Sequence, residues 1–374
     1  MGGPARQACD DTGVRACDLL VVSHAAVLAT NQSVYAELAR RGVGVGLLVP
    51  SRWRNEYRPS GFDAEVAVGL EGRVRPVAVV GQGRPQRHVH VTRCAATLQA
   101  FAPKVVFIEE EPFSVAAIRW SRAARRRRIP YGVQVAETLE RDYPAPLMRR
   151  SARVLRDASF VVARSPAAAA LARRWGAGGE VAVVAHGVDP VDVRPEPEGV
   201  FTIAYVGRLV EEKGVTDLLE AVRALDDEVR LVVAGEGPLA GAVRTAGPRV
   251  VALGAVSPGR IGDVYGQAHV TCVPSRTMPS WEEQFGRVLT ESLVRGVPVI
   301  ATHTGEIPWV LSQTGGGVMV PERDPSALGA AIASMQADRA AASALGAAGR
   351  EGVLGTFTNA AGATALAGLV ERAR

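Results

Sequence analysis

The stretch Glu283-Gln-Phe-Gly286-Arg-Val-Leu-Thr-Glu291 decides how this chain folds, because it sets a glycine between two carboxylates where an apolar helical pattern begins. Downstream, Gly296-Val-Pro298 is typical of a helix end, and the apolar run that follows predicts a buried strand. A helix N-terminus at Gly286 presents unpaired N–H groups and partial positive charge, which favour phosphate. Eight helical residues rise about 12 Å, so the two glutamates are predicted to flank a sugar nucleotide whose diphosphate rests between them.

A second segment, Ile203-Ala-Tyr-Val-Gly207-Arg208-Leu-Val-Glu-Glu-Lys213-Gly214, predicts a strand, a loop with two cations and the start of a helix. A dianionic leaving group needs cations in fixed positions; arginine supplies a planar fork and lysine a point charge. Lys104 and Lys213 are the only lysines in a chain that otherwise uses arginine. Lys213 is therefore a strong candidate for a functional residue.

These segments resemble the E-x7-E motif and the phosphate-binding loop of the retaining glycosyltransferases of family 4, which have the GT-B fold. Further landmarks follow in the family's order at His186-Gly-Val-Asp189, Leu231–Pro238 and Val270–Ser275, so the resemblance covers about residues 186–330. It implies an α/β architecture of two Rossmann-like parallel-sheet domains that face each other across a cleft. It also implies a metal-independent, retaining hexosyltransferase that uses a nucleotide-diphosphate sugar, UDP- or GDP-linked, and no cofactor.

The resemblance assigns roles to individual residues. It implies that Arg208 and Lys213 hold the diphosphate, that Glu283 binds the donor sugar and stabilises positive charge on the reacting carbon, and that Glu291 binds the ribose. By the same resemblance, the expected catalytic set consists of Arg208, Lys213, Glu283 and His24. The other expected donor contacts are Gly207, Gln284, Phe285, Gly286, Arg287, Val288 and Val256. No Asp-x-Asp pattern of a metal site is present in the sequence.

The acceptor side is expected in the first half, where the chain departs from the family pattern. The Gly-Gly loop usual after the first strand is replaced by a segment that contains His24 and Asn31, and Glu306 replaces the second glycine of a Gly-Gly-Ile-Pro-like turn. Side chains at the carboxyl ends of parallel strands face a ligand cleft. We therefore expect acceptor contacts from the following residues: His24, Asn31, Glu110, Glu111 and Glu137. A structural role for His24 remains an alternative, and at least one of the adjacent glutamates 109–111 is predicted to be solvated.

A chain of 374 residues is long enough for two domains. The expected organisation is a disordered tail (1–17), an acceptor-binding domain (18–187), a proline-rich acidic linker (188–199), a nucleotide-sugar-binding domain (200–358) and a helix that returns to the first domain (359–374). The predicted strands of the first domain are Leu19–Ser23, Val43–Val49, Val105–Glu109, Gly132–Ala136, Phe160–Ala163 and Val181–Ala185. Its clearest predicted helices are Ser33–Arg41 and Ser165–Trp175.

Charge is divided unevenly along the chain. Residues 1–187 carry 27 Lys and Arg against 16 Asp and Glu, a net of +11, whereas the remainder carries 16 against 22, a net of −6. The basic half favours an anionic acceptor or peripheral contact with an anionic membrane surface, and no nucleic-acid-binding motif accompanies it. The run Arg125–Arg128 is either a solvated helix end or part of such a membrane contact.

The remaining features point to the cytoplasm. No signal peptide or membrane-spanning run is predicted. The four cysteines, Cys9, Cys17, Cys94 and Cys272, lack metal-ligand spacing and are interpreted as thiols in a reducing compartment. Membrane association remains an alternative location. The partners expected are a nucleotide-sugar donor and a small-molecule or glycan acceptor, and the assembly is a monomer or a homodimer.

The main reading is sugar transfer to a small-molecule, natural-product or envelope-glycan acceptor. One alternative is a transferase of the same fold with a thiol acceptor, and another is a non-catalytic sugar-nucleotide-binding protein. A dinucleotide-dependent oxidoreductase lacks its Gly-x-Gly-x-x-Gly after a first strand, because Gly42-Val-Gly44-Val-Gly46 lies before or within a strand. A pyridoxal-dependent phosphorylase lacks a lysine in a Schiff-base context.

Overall fold

The computed structural model describes residues 16–55, 58–193, 197–226 and 228–374. Cys9 and most of the predicted tail lie outside these residues. The chain forms two compact units. The first comprises the residues up to Ala185 together with Gly362–Arg374, and the second comprises His186–Ala361.

A seven-stranded parallel sheet forms the centre of the first unit, in the order β11-β10-β9-β8-β1-β2-β5. Its strands are β1 (Leu19–Ser23), β2 (Val45–Pro50), β5 (Val74–Val77), β8 (Val105–Glu109), β9 (Tyr131–Val135), β10 (Phe160–Ala163) and β11 (Glu180–Val183). Two antiparallel pairs accompany it, β3 (Arg52–Asn55) with β4 (Arg58–Asp63) and β6 (Val79–Val80) with β7 (Val89–His90). The helices of this unit are α1 (Ser33–Arg40), α2 (Cys94–Phe101), α3 (Val115–Arg126), α4 (Ala145–Arg156) and α5 (Pro166–Arg174).

The sheet of the first unit is buried on both faces, which explains why its strands are almost continuously apolar. In β1, Leu20 and Val22 pack into one apolar cluster, while Leu19 and Val21 pack into another on the opposite face. The last helix of the chain, α13 (Asn359–Ala373), covers this second face with the following buried residues: Ala363, Leu366, Leu369 and Val370.

The second unit contains a six-stranded parallel sheet in the order β14-β13-β12-β15-β16-β17. Its strands are β12 (Phe201–Val206), β13 (Val229–Ala234), β14 (Val250–Gly254), β15 (Val270–Val273), β16 (Val299–Thr302) and β17 (Gly317–Val320). Its helices are α6 (Val215–Ala224), α7 (Ala240–Arg244), α8 (Ile261–Tyr265), α9 (Arg287–Leu293), α10 (Ile307–Thr314), α11 (Pro325–Ala337) and α12 (Arg339–Thr356).

Two parallel-sheet Rossmann-like domains were predicted, and this fold class is confirmed. The predicted strands Leu19–Ser23, Val105–Glu109 and Phe160–Ala163 have the observed bounds, and the other three predicted in the first domain are displaced by one or two residues. No helix among the described residues is both long enough and apolar enough to cross a membrane.

Candidate functional site

A cavity of about 280 Å³ in the second unit is lined by most of the predicted donor-site segment. It lies beyond the carboxyl ends of β12 and β15, the usual position of ligands in parallel α/β sheets. Its lining residues are His186, Tyr205, Val206, Lys213, Cys272, Val273, Pro274, Ser275, Glu283, Gln284, Phe285, Gly286, Arg287 and Val288. Lys213 and Glu283 are therefore brought to one cavity although 70 positions separate them in the sequence.

The ammonium of Lys213 and the carboxylate of Glu283 form an ion pair, with 2.5 Å between Nζ and Oε2. The hydroxyl of Ser275 donates to the same carboxylate oxygen at 3.1 Å. Nζ also lies 4.8 Å from the ring centre of Trp281, within the range of a cation–π interaction. Glu283 and Trp281 thus fix a positive charge at the wall of the cavity, and Ser275 helps to fix Glu283.

Two glycines make this arrangement possible. Gly214 directly follows Lys213 and has a φ of +63°, and a Cβ there would lie 1.8 Å from the carbonyl oxygen of Pro274. Gly305 has a φ of +50°, and a Cβ there would lie 2.1 Å from the carbonyl oxygen of Glu283. That oxygen accepts a hydrogen bond from the backbone N–H of Glu306 at 2.8 Å. Close backbone approach, which only glycine allows, therefore holds both ends of the ion pair.

The motif helix starts after Gly286, as predicted, but Glu283 does not belong to it. The sequence placed eight helical residues between Glu283 and Glu291, but α9 begins at Arg287 and has seven residues. Gly286, at its N-terminus, has a φ of +74°, which does not continue a right-handed helix backwards. Glu283 consequently lies in the preceding loop, and the expected 12 Å helical spacing of the two carboxylates is wrong.

Aromatic side chains pack around Phe285, the third residue of the motif segment. Phe285 is buried, and its ring centre lies 5.8 Å from that of His186, 6.2 Å from that of Trp309 and 5.6 Å from that of Phe357. Such ring pairs stabilise a fixed side-chain arrangement. Phe285 therefore anchors the loop that presents Glu283 and Gln284.

Other predicted donor residues lie outside the lining of this cavity. Arg208 pairs with Glu212 at 3.2 Å. Glu291 accepts a hydrogen bond from the hydroxyl of Tyr265 at 3.1 Å and lies 3.6 Å from a guanidinium nitrogen of Arg287. Gly207 donates its N–H to the carbonyl of a neighbouring strand, and Val256 packs against a small apolar cluster. The structure therefore joins Lys213 to the Glu283–Val288 segment but does not place these four in the same cavity.

A larger cavity of about 590 Å³ lies elsewhere in the second unit. Its walls include Tyr265, His269, Arg295, Arg339 and Arg350, and none of the predicted site residues lines it. Volume alone therefore does not identify the functional site. The smaller cavity is lined by the Lys213–Glu283 ion pair and by the predicted donor-site segment Glu283–Val288.

In the first unit, His24 and Glu110 form a hydrogen-bonded pair. Nδ1 of His24 lies 2.7 Å from Oε2 of Glu110, and the backbone N–H of His24 donates to Oε1 at 2.8 Å. Burial by itself lowers the pKa of His24, but the charge of Glu110, its hydrogen bond and the charges of Glu109 and Glu111 together outweigh this effect, and the pKa is raised. Burial opposes ionisation of Glu110, yet the positive charge of His24 and their hydrogen bond hold the pKa of that carboxyl well below its usual range.

The prediction that one of the glutamates 109–111 is solvated is wrong. Glu109 is buried against the guanidinium of Arg164, with 2.5 Å between Oε1 and Nη2. Glu111 is half-buried and accepts backbone N–H bonds from Ala136 at 2.8 Å and from Glu137 at 3.2 Å. Burial raises the pKa of Glu111 to about 8, although these hydrogen bonds act in the opposite direction. Each of the three carboxylates binds a different partner, and the partners could not be inferred from the adjacency of the glutamates in the sequence.

The remaining predicted acceptor residues bind neighbouring chain segments. Glu137 is buried and pairs with Arg141 at 2.7 Å. The side-chain amide of Asn31 donates to the carbonyl of Ala25 at 2.8 Å, in the segment that replaces the family's Gly-Gly loop. That segment forms two short 3-10 turns, Ala25–Val27 and Ala29–Asn31.

Several residues of these sites were not predicted from the sequence. Trp281 and Ser275 contact the Lys213–Glu283 pair, and His186 lines the cavity although the sequence marked it only as part of a family landmark. In the first unit, His88 and Trp53 pack against the ring of His24. The His88-Val-His90 spacing, which puts two imidazoles two positions apart, was a signal that the sequence offered.

Comparisons with known proteins agree with this architecture. The family model for glycosyl transferases group 1 matches residues 191–352, and that for a glycosyl transferase 4-like domain matches residues 27–187. The chain has the GT-B fold and resembles the group 1 glycosyltransferases.

Solved structures of glycosyltransferases cover nearly the whole chain. A sucrose-phosphate synthase from Thermosynechococcus elongatus has a TM-score of 0.70 at 19% identity, covering 95% of this chain and 98% of that one. The Anabaena protein HepE in complex with UDP-glucose has a TM-score of 0.71 at 15% identity, covering 94% of this chain and 99% of that one. These likenesses show the GT-B fold.

Closer sequence relatives match over shorter stretches. A GDP-mannose-dependent phosphatidylinositol monomannoside mannosyltransferase from Mycobacterium tuberculosis is 32% identical over 163 residues, which is 41% of this chain and 42% of the relative. A D-inositol 3-phosphate glycosyltransferase from Corynebacterium kroppenstedtii is 30% identical over 150 residues, or 36% and 32% of the two chains. This chain therefore spans less than half the length of these curated relatives.

Proposed function

We propose that this protein transfers a sugar from a nucleotide-diphosphate sugar to a small-molecule, natural-product or envelope-glycan acceptor, with retention of configuration. The observation that carries the proposal is the ion pair of Lys213 and Glu283 in the wall of the 280 Å³ cavity. A cation next to a carboxylate at a strand end suits a donor that carries a diphosphate beside sugar hydroxyls. The names of the relatives support both a GDP-linked and a UDP-linked donor.

In the proposed mechanism, cationic side chains of the protein neutralise the negative charge of the leaving group. The ammonium of Lys213, with Arg208 at the preceding turn, neutralises the departing diphosphate without a metal ion there. Glu283 binds the donor sugar and stabilises the oxocarbenium-like state, while Glu291 binds the ribose. The acceptor attacks from the face that the diphosphate leaves, and the departing phosphate takes the acceptor proton.

Acceptor binding is assigned to the first unit. His24, Glu110 and Glu111 lie at the carboxyl ends of β1 and β8, and hydrogen bonds fix their positions. We further propose a cytoplasmic location, because the described cysteines Cys17, Cys94 and Cys272 are free thiols. Exposed arginines at the end of α3 support transient contact with an anionic surface.

Calorimetric titration with UDP, GDP, ADP and dTDP in the absence of metal tests the donor site. We expect one nucleotide to bind at micromolar concentration, and Lys213→Ala and Glu291→Gln to weaken it at least tenfold. Lys104→Ala is the matched control, because Lys104 is the only other lysine and pairs on the surface of the first unit with Asp18. Absence of binding by any nucleotide to the folded protein would contradict the donor-site assignment.

One observation keeps a second candidate open. The ion pair of Lys213 and Glu283 would serve nucleotide binding equally well in a protein without transferase activity. Slow hydrolysis of the bound sugar nucleotide, abolished by Glu283→Gln with nucleotide affinity retained, would favour the transferase. Tight binding with no turnover, in the presence of varied sugar and lipid acceptors, would favour the non-catalytic protein.

A further inference from the structure

Three of the six histidines of the chain gather in the first unit around Glu110. His24 follows β1, Glu110 follows β8, and His88 and His90 lie at β7. The ring centres of His24 and His88 are 5.3 Å apart, and those of His88 and His90 are 5.1 Å apart. The sugar-transfer mechanism proposed above has no use for His88.

His24, His88 and Glu110 present converging ligand atoms. One such atom from each of the three lies within 4.8 Å of the other two. Nε2 of His88 is 3.4 Å from Oε1 of Glu110, and Nδ1 of His24 is 2.7 Å from Oε2 of the same carboxylate. His88 and the side chain of Glu110 are fully buried or nearly so, whereas the side chain of His24 is 22% exposed.

The orientation of His88 leaves an electrostatic problem. Its Nδ1 lies 2.8 Å from the carbonyl oxygen of Pro85, which can only accept, so Nδ1 carries the proton. In the neutral imidazole, Nε2 then directs a lone pair towards the carboxylate of Glu110. This buried nitrogen makes no hydrogen bond within the part of the chain that the structure describes. A lone pair that faces an anion in a buried site is unfavourable unless a cation lies between them.

We propose that His24, His88 and Glu110 bind a divalent transition-metal ion of the Zn²⁺ class. Two imidazoles and one carboxylate are a common ligand set for Zn²⁺, with an open position for water or another exogenous ligand. Ligand atoms about 2 Å from a tetrahedral ion lie about 3.3 Å apart. Side-chain movements of about 1 Å would therefore bring the three ligand atoms to these distances. The bond from Nδ1 of His88 to a backbone carbonyl is the outer-shell contact that orients metal-binding histidines.

This inference is independent of the proposed donor site, although His24 and Glu110 are also proposed acceptor contacts. The three ligands belong to the first unit, and the nucleotide cavity is lined by residues of the second. Loss of metal binding therefore leaves the nucleotide titration unaffected as a test of the donor site. The partial exposure of His24 gives the ion access to water, so the open position suits a hydroxyl-bearing molecule.

The test uses the untagged full-length chain, because a polyhistidine tag binds the same ions. The protein is freed of metal with a chelator and titrated with Zn²⁺ by calorimetry and with Co²⁺ by visible absorption. We expect one equivalent to bind at micromolar concentration or tighter, with the intense absorption of low-coordinate Co²⁺. His88→Gln and Glu110→Gln are each expected to weaken binding at least 100-fold.

His90→Gln is the matched control. His90 is a buried neighbour of His88, and its Nδ1 faces Nε1 of Trp120 at 3.4 Å, so its loss is expected to change the affinity less than threefold. Circular dichroism and thermal unfolding check each variant. If a buried substitution prevents folding, His24→Gln carries the test, because His24 is the partly exposed ligand. Absence of stoichiometric binding by the unmodified chain, or equal binding by all variants, would overturn the site.

Discussion

At the residue scale, buried charges are paired one by one in this protein. Glu109 with Arg164, Glu110 with His24, and Lys213 with Glu283 each join a carboxylate to a cation that is distant in the sequence. Removing one partner of such a pair leaves an uncompensated charge and costs about 3–5 kcal/mol. The sequence showed the charged residues near strand ends, but it did not show their partners, because the pairs form only when separate strands meet.

A substitution at Gly214 tests whether the backbone geometry at this glycine positions Lys213. Gly214→Ala is expected to lower the free energy of unfolding by about 2–5 kcal/mol, because φ is +63° and the new Cβ would overlap the carbonyl oxygen of Pro274. Denaturant unfolding measures the change. Gly241→Ala in α7 is the control, since a Cβ there meets no atom within 4 Å, and it should stabilise the helix by up to about 1 kcal/mol. Similar values for both variants would disprove the argument.

At the element scale, apolar patterns predicted the strands because parallel strands buried on both faces are apolar throughout. This held for β1, β8 and β10, whose bounds were predicted without error. The motif helix α9 starts after Gly286, as predicted, but Glu283 lies outside it because Gly286 adopts a left-handed conformation, which residue identity permits but does not require. The short pair β6 and β7, which carries His90, has too few residues for a periodic signal.

Helix α13 shows that the first unit depends on the end of the chain. Leu366→Ala is expected to destabilise this unit by about 2–5 kcal/mol, because Leu366 is buried against the sheet in the cluster that contains Leu19 and Val21. The exposed neighbour Ala365 offers a control, and Ala365→Ser should change stability by less than about 0.5 kcal/mol. Urea unfolding followed by tryptophan fluorescence compares the two. Equal stabilities would mean that α13 does not contribute to the core.

At the scale of the whole molecule, the two units differ in net charge and in the kind of ligand that their side chains suit. The basic residues concentrate in the first unit, which holds the histidine cluster, and the acidic residues concentrate in the second, where Lys213 is the cation fixed in the cavity wall. An acidic unit that binds an anion needs such a locally fixed cation, because its net charge repels the ligand. The family resemblance predicts that this cation holds the donor diphosphate, whereas net charge alone favours anion binding by the first unit.

Ligand binding should therefore stabilise the molecule unevenly. At a nucleotide concentration 100 times Kd, the free energy of unfolding of the second unit is expected to rise by about 2.7 kcal/mol. Hydrogen exchange read by mass spectrometry should show the protection in peptides that contain Lys213 and the Glu283–Val288 segment, which line the 280 Å³ cavity. The Lys213→Ala variant, at the same nucleotide concentration, should show little protection. Protection centred instead on Arg339 and Arg350 would move the ligand to the 590 Å³ cavity, because both arginines line it.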